Sequence, residues 1–280
     1  MNIKKAIAVC VAFGFIIAGS ILTYSAYTRG ASTKFKISYK DKTVDTEVEK
    51  NSKVDYDIDS DEINTINVKS KYCDLEVKEG ESYSVTYEGD TKYKPDVTIK
   101  DGVIDILQNK LGKENSTLMI NFGVMALDKN GLTFGIIPKT AKIIITVPNG
   151  EKINCIDCES DYGDISVSDV EVKNIDITSN YGDLRFKNLK CDELETKQDF
   201  GDVKFDGSLI GNIDIESSYG DIDFDIDGDE DDYNMDITTK CGDVDINDEE
   251  YEKKNVVINN DGNNNITLDV SYGDVEINIR

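Results

Sequence analysis

Carboxylates are the side chains of this sequence with the clearest capacity for chemistry. The segment from Asp223 to Gly228 reads D-x-D-x-D-G, the opening of a calcium-binding EF-hand loop. Its candidate calcium ligands are Asp223, Asp225, Asp227 and Asp229. Position twelve of such a loop is Asn234 instead of Glu, and no helix is predicted beside it. The alternation equally fits a strand with a solvated face, so a weak calcium site is one of two readings, and no other cofactor is expected.

Several other kinds of reaction centre are excluded by composition. The 280-residue chain contains no His, which rules out Ser-His and Cys-His nucleophile pairs and zinc sites with His ligands. It carries 31 basic and 56 acidic side chains, for a net charge of −25. Such a surface repels nucleic acid and attracts cations, basic proteins and cationic peptides. We therefore predict no catalytic residues and no nucleic-acid partner.

A triplet of an aromatic residue, Gly and Asp recurs along the second half of the chain. The copies are Tyr162-Gly163-Asp164, Tyr181-Gly182-Asp183, Phe200-Gly201-Asp202, Tyr219-Gly220-Asp221, Cys241-Gly242-Asp243 and Tyr272-Gly273-Asp274. The first three intervals are 19 residues each, followed by 22 and 31, and the fifth copy has Cys in the aromatic position. A fixed period of this size predicts a fold built by stacking one small unit.

Each repeat supplies two short stretches that alternate between apolar and polar residues, as in Ile165-Ser166-Val167 after a triplet and Ile175-Asp176-Ile177 between triplets. A unit of this size cannot bury its apolar face alone, but stacked parallel copies can. The sequence predicts an all-β fold, a parallel β-solenoid, right-handed by the rule for parallel crossovers. The alternative, an antiparallel sandwich, would show tight hairpin turns between paired strands.

The triplets are predicted to form a structural corner of this solenoid. Gly suits a positive φ or a close passage of two backbones, and Asp can accept hydrogen bonds from local backbone N–H groups. The aromatic ring is expected to stack on its counterpart in the next repeat.

An uncharged apolar run, residues 6–28, follows Lys4 and Lys5 and precedes Arg29. It is long enough to span a bilayer as a transmembrane helix. The alternative is a signal peptide cleaved after Ala26, with Tyr24 at the −3 position, where a small residue is preferred. We expect an uncleaved single-pass anchor in the cell membrane with the remaining chain outside the cytoplasm, although the positive charges beyond the span favour the opposite orientation.

Five cysteines lie beyond this run: Cys73, Cys155, Cys158, Cys191 and Cys241. An odd number cannot be fully paired within one chain. Unpaired cysteines in or near the core are one reading. A disulfide that joins Cys155 to Cys158 or to Cys191 is the other.

The domain boundaries follow from these patterns. Residues 1–28 form the anchor, 29–60 a polar stalk or lead-in, and 61–280 the solenoid, with regular repeats from about residue 150. The irregular residues 107–135 could shield one end of the stack. The last strand has a bare edge unless the insertion at 247–265 folds over it, and a bare edge would permit end-to-end association.

The strand that ends in Val147-Pro148-Asn149-Gly150, followed by Tyr/Phe-Gly-Asp triplets, resembles the bacterial "putative adhesin" β-strand repeat family, a domain of unknown function. The resemblance covers about residues 60–280 and departs at Cys73 and Cys241. It implies a right-handed parallel β-helix, often anchored or exported, without catalytic residues.

The expected function is a non-enzymatic, membrane-anchored surface for binding or adhesion to an envelope protein or cationic ligand. The alternatives are an envelope-stress sensor that binds a membrane partner or cationic peptide, and a β-helix enzyme acting on polysaccharide.

Overall fold

The computed structural model describes residues 34–38, 43–47, 51–58, 62–108, 117–120, 123–128, 131–135, 141–252 and 254–280. The anchor expected at residues 6–28 lies outside these ranges. Among the residues that are described, no helix has the length and apolarity needed to cross a membrane. The chain divides into two units, one of residues 1–50 with 112–139 and one of residues 51–111 with 140–280.

The first unit contains one antiparallel sheet. With strands numbered in chain order, its members are β1 (Lys34–Ser38), β2 (Thr43–Glu47), β9 (Thr117–Ile120), β10 (Gly123–Asp128) and β11 (Gly131–Gly135), arranged β2-β1-β11-β10-β9. The stalk predicted for residues 29–60 therefore contains two strands of this sheet, and its final part belongs to the second unit. The segment 107–135, expected to be irregular, supplies the other three strands.

The second unit holds two larger sheets, and neither closes on itself. The long-strand sheet consists of β4 (Thr65–Ser70), β7 (Asp96–Lys100), β8 (Val103–Gln108), β13 (Lys152–Tyr162), β15 (Glu171–Tyr181), β17 (Lys190–Phe200), β19 (Ile210–Tyr219), β21 (Tyr233–Cys241), β24 (Asn255–Ile258) and β25 (Asn264–Tyr272). The short-strand sheet consists of β3 (Asn51–Tyr56), β5 (Cys73–Gly80), β6 (Ser84–Asp90), β12 (Ala141–Pro148), β14 (Ile165–Ser168), β16 (Leu184–Lys187), β18 (Val203–Gly207), β20 (Ile222–Ile226), β22 (Val244–Ile246), β23 (Glu249–Tyr251) and β26 (Val275–Ile279).

We call one long strand and the short strand that follows it a rung. Strands β13, β15, β17 and β19 pair in parallel, as do β14, β16, β18 and β20, and the pairs are in register apart from one shift between Lys190 and Glu193 of β17. The predicted parallel stack is confirmed as an all-β, solenoid-like fold, while its handedness stays a prediction. The alternation is interrupted in β15 and β17, where two successive side chains are exposed, as at Lys173 and Asn174.

The core lies between the sheets because the alternating apolar residues of both point inward. Ile165, Ile177 and Leu184 are at most 1% exposed, as the sequence predicted. The buried set continues through every rung, so each rung removes apolar surface from water only by contact with its neighbours. Burial of this kind stabilises by roughly 25 cal/mol per Å² of apolar surface.

The two ends of the stack depart from chain order. The rung β25–β26 lies between β19–β20 and β21–β22, although it is the last in sequence. At the other end β4 and β5 contact the middle rungs, and β8 and β12 lie outside them.

Antiparallel strands complete both ends. Strands β24 and β23 pair with β21 and β22, so the insertion at 247–265 covers this end, as predicted. The last strand in the sequence, β26, has no bare edge, because it is paired on both sides. At the opposite end the outermost strands of the two sheets are β7 and β3.

Candidate binding surfaces

The triplets form the corner between the two sheets, and their rings make one continuous column. Tyr72, Tyr162, Tyr181, Phe200, Tyr219 and Tyr272 stack with centroid separations of 4.8–4.9 Å and interplanar angles of 2–7°. The predicted stacking is confirmed. The rings from Tyr181 to Tyr272 are 41–50% exposed, so the column is an exposed aromatic stripe.

The out-of-order rungs keep this aromatic column unbroken. Cys241 pairs with Tyr272 and lies outside it, beyond the last ring. Had the rungs followed chain order, Cys241 would have stood between Tyr219 and Tyr272. The departure of Cys241 from the triplet therefore marks the terminal rung.

The corner glycines meet both conditions that the sequence suggested. Gly182 has φ +141°, and a Cβ on it would overlap the carbonyl oxygen of Gly163 in the neighbouring rung. Only glycine combines this conformation with so close an approach. Cys73 takes the glycine position in the β5 rung, where its neighbour on the outer side is Ala141 of β12. Burial raises the pKa of the Cys73 thiol to about 12.

The triplet aspartates form a second column. We predicted that their carboxylates accept hydrogen bonds within their own corner, but the donors belong to the neighbouring rung. Each carboxylate accepts a hydrogen bond from the backbone N–H of the Asp in the next rung. The acceptors run Asp74, Asp164, Asp183, Asp202, Asp221 and Asp274, at 2.9–3.1 Å, and Asp243 provides the last donor. These aspartates therefore join the rungs, and their role is structural.

The four candidate calcium ligands are not brought together. Asp223 pairs with Lys204 at 3.1 Å, and Asp225 pairs with Arg280 at 3.3 Å. Asp229 caps a short 3-10 helix by accepting from the N–H of Asp231. Asp227 follows β20. Across the described ranges, no three Cys, Asp or Glu side chains are grouped as a metal would require.

The outward side of the long-strand sheet, which we call the long-strand face, carries a column of carboxylates. Asp157, Asp176, Glu195 and Asp214 occupy the same position on β13, β15, β17 and β19. Adjacent strands are about 4.8 Å apart, so like charges stand side by side. Burial, followed by the charges of Glu195 and Asp157, raises the pKa of Asp176. The column would be stabilised by a cation placed over it.

Most ion pairs on the long-strand face involve the next outward-facing side chain of each strand, two residues after the carboxylate column. Lys69 bonds Glu159 at 2.6 Å, and Lys197 lies 3.5 Å from Glu195 and 3.9 Å from Glu216. These are exposed pairs that contribute little to stability. Within the described residues, Asp157, Asp176 and Asp214 form no ion pair, although the charge of Lys197 lowers the pKa of Asp176 as a minor influence.

A second corner, opposite the triplets, was missed by the sequence analysis. Asp169 and Asn188 adopt left-handed conformations with φ of 56° and 47°, and Gly207 follows with φ 109°. The amide of Asn188 donates to Asp169 at 2.8 Å. These residues recur every 19 positions, which is the signal that could have found them. A shallow, open depression beside Asp169 is lined by mixed charges.

All five cysteines within the described ranges are free. The reading with unpaired cysteines is therefore confirmed, and neither disulfide with Cys155 is present. Burial raises the pKa of Cys158 and of Cys191 to about 12, which keeps both thiols protonated.

Comparison with known proteins agrees with this architecture. Residues 63–279 match the family model described as Toastrack DUF4097. A crystal structure of "a putative cell adhesion protein" from Clostridium sporogenes ATCC 15579 superposes with a TM-score of 0.51 at 12% identity, and the match covers 82% of this chain and 100% of that one. At this identity the likeness shows a shared fold.

Two further solved structures are similar at lower TM-scores. One is "a putative adhesin" from Bacteroides fragilis NCTC 9343, with a TM-score of 0.37, 14% identity and coverage of 82% of this chain and 97% of that one. The other is a "Putative lipid binding protein" from Parabacteroides distasonis ATCC 8503, with a TM-score of 0.31, 11% identity and coverage of 82% and 96%. No curated protein matches the chain.

Proposed function

The chain belongs to the Toastrack DUF4097 family, and on that premise we propose that it is a non-enzymatic binding protein of the cell envelope. Residues 6–28 hold it in the membrane as a single-pass anchor, and the solenoid lies outside the cytoplasm. Its long-strand face binds a cationic partner, either a basic envelope protein or a surface with exposed ammonium or guanidinium groups.

The observation that carries this proposal is the carboxylate column from Asp157 to Asp214. Four acidic side chains stand in register on four consecutive strands, and the raised pKa of Asp176 reflects its burial first and then their mutual repulsion. A polycation laid across the strands relieves that repulsion at several rungs at once, so its affinity grows with the number of rungs that it contacts.

The non-enzymatic character is supported by the roles of the carboxylates near the triplets. The regular aspartates of the corner each accept a backbone hydrogen bond from the next rung. The solved structure with a TM-score of 0.51 is described as a putative cell adhesion protein, which is consistent with a binding role for this chain.

A peptide-sensing role is the second candidate, and the exposed aromatic stripe favours it. The ring column runs beside the acidic face, so a cationic amphipathic peptide could place apolar groups on the rings and basic groups on the carboxylates. Deleting the chain would raise sensitivity to such peptides under this reading. Under the adhesive reading, deletion would reduce attachment to surfaces.

Oligolysine binding to the full chain in a neutral detergent tests the leading proposal. We expect Asp176→Asn, Glu195→Gln and Asp214→Asn together to weaken binding by roughly tenfold, since three exposed charge contacts are lost. The matched control is Asp223→Asn, Asp225→Asn and Glu276→Gln, which changes the net charge equally on the other sheet. Equal weakening in both variants, or no binding at low salt, would refute the proposal.

A further inference from the structure

The outward side of the short-strand sheet, which we call the short-strand face, has its charges separated along the solenoid. Its side chains on the six central strands are Ser166, Ser168, Arg185, Lys187, Lys204, Asp206, Asp223, Asp225, Glu276, Asn278 and Asp245. The basic residues all lie on β16 and β18, whereas β20, β26 and β22 carry only acidic ones and Asn278. In a chain with net charge −25, this is a local basic patch beside an acidic patch.

We propose that this face binds the same face of a second copy of the chain, with the two solenoids antiparallel. A two-fold axis between β18 and β20 places β18 opposite the partner's β20 and β16 opposite the partner's β26. Lys204 then faces the partner's Asp223, and Arg185 faces the partner's Glu276. Because the two-fold symmetry repeats each contact, the dimer gains four attractive contacts.

The even spacing of the rungs makes this arrangement fit in register. Strands β16, β18, β20 and β26 are consecutive neighbours in one parallel sheet, so equal steps separate them in both copies. In a parallel arrangement of the two solenoids, each strand would instead face the same strand of the partner, running in the opposite direction. This arrangement would place Arg185 against the partner's Lys187, and like charges so placed oppose association.

The contacts within one copy already engage some of these charges. Arg185 lies 3.2 Å from Asp164 and 2.6 Å from Asp183 of its own chain, so two carboxylates already offset the charge that it presents to the partner's Glu276. Lys204 lies 3.1 Å from Asp223 of its own chain, directly beside the two-fold axis. The dimer therefore brings two such pairs together as four alternating charges. Two symmetry-related contacts are unfavourable, since Asp206 of each copy faces the partner's Asp225. That carboxylate already lies 3.3 Å from Arg280, which offsets part of its charge.

The expected association is weak and sensitive to salt. Six short strands of three to five residues, about 4.8 Å apart, cover roughly 500 Å² per copy, or about 1,000 Å² in total. That is at the lower limit for a specific interface, so the dimer forms at micromolar or higher concentration. Its exposed charges are screened as ionic strength rises.

The antiparallel arrangement also bears on how two membrane-anchored chains would meet. This point rests on the proposed anchoring, whereas the dimer does not. Residue 51 begins β3, an outermost strand at one end of the short-strand sheet. In the dimer the two β3 ends lie at opposite ends of the pair. Two chains anchored through their N-terminal segments would therefore meet more readily from opposing membranes than from one.

Charge exchange at the central contact tests the dimer, with the full chain in a neutral detergent at low salt and light scattering as the measurement. Lys204→Glu alone creates two repulsive contacts across the axis, and so does Asp223→Lys alone. We expect each to weaken dimerisation by roughly tenfold or more. An equimolar mixture of the two variants, and the double variant in one chain, restore attraction and should dimerise.

Lys197→Glu is the matched control, because it makes the same charge change on the long-strand face. It should leave dimerisation unchanged. The proposal is overturned if the wild type stays monomeric at low salt, if either single variant dimerises like the wild type, or if the mixture and the double variant both remain monomeric. Oligolysine binding is measured on the other face, so either proposal can fail while the other stands.

Discussion

The middle of the solenoid and its two ends use the same strands by different rules. From β13 to β20 the chain adds one rung after another, each parallel to the last and in register. At both ends one rung lies out of chain order, and antiparallel strands form the outer edges of the sheets. The comparison teaches that repetition specifies how rungs join, whereas interruptions of the repeat specify where the stack stops.

The largest effect that distinguishes the two regions should come from glycine. Gly182→Ala in the middle should destabilise the chain by about 3 kcal/mol or more, because the new Cβ overlaps the Gly163 carbonyl at φ +141°. Gly150→Ala, in the turn after β12, should cost only about 1 kcal/mol, since its φ is +81° but the new Cβ would contact no other residue within 4 Å. Urea unfolding measures both. Similar losses of stability in the two variants would show that close contact between rungs is not the reason why the corner requires glycine.

A smaller difference in stability should distinguish an aspartate in the middle of the triplet column from the aspartate at its end. Asp202 accepts the N–H of Asp221 at 3.1 Å, so Asp202→Ala should cost about 1–2 kcal/mol by leaving that donor unpaired. Asp243 is the last member of the column and gives no such acceptor within the described residues, so Asp243→Ala should change stability by less than about 0.5 kcal/mol. Asp202→Asn keeps an acceptor oxygen and serves as the control. If it is as damaging as alanine, charge matters and the hydrogen bond does not.

The smallest effect is a difference in pH dependence between two carboxyl groups. Asp176, in the middle, has a pKa raised by burial and by neighbouring carboxylates. Its ionisation opposes folding as pH rises above its ordinary value of 3.8, so Asp176→Asn should stabilise at neutral pH. That gain should vanish in acid, where the native group is protonated in both states.

Glu76, on the rung β4–β5 near one end of the stack, should show the opposite pH dependence of stability. Burial is the largest influence on its pKa and acts to raise it, but hydrogen bonds and charge from Lys142 and Lys78 together lower it. The stability that Glu76 contributes is present above its ordinary pKa of 4.5 and is lost as pH falls through the lowered value. Glu76→Gln should therefore destabilise at neutral pH but not in acid. The test is the melting temperature of each variant relative to the wild type across pH. A change of the same sign in both variants at neutral pH would contradict this contrast.

The sequence predicted the middle of the fold because its period carries the information. Alternating apolar residues place Ile177 and Leu184 inside, and the constant spacing of Tyr181 and Phe200 indicates stacked corners. The acidic face was expected from net charge. Its column of carboxylates became visible only with the register, which aligns Asp176 with Glu195.

The ends could not be predicted from the same pattern. Strand β19 pairs with β25, and β25 pairs with β21, through equivalent positions, so the repeat alone does not decide which rung follows β19. The absence of an aromatic ring at Cys241 distinguishes them, but only once the ring column is known. The strands of the first unit were missed because their partners are distant, as for Phe35 and Phe134, and no period announces them.

The most direct test of rung order uses the native Cys241 as a reporter. Neighbouring strands place equivalent Cα atoms about 4.8 Å apart, within reach of a disulfide, while strands two apart are separated by about 10 Å. Under oxidation Tyr272→Cys should form a disulfide with Cys241, and Tyr219→Cys should not. In chain order Cys241 would neighbour both positions, so a disulfide between Cys241 and the new cysteine of Tyr219→Cys would contradict the account.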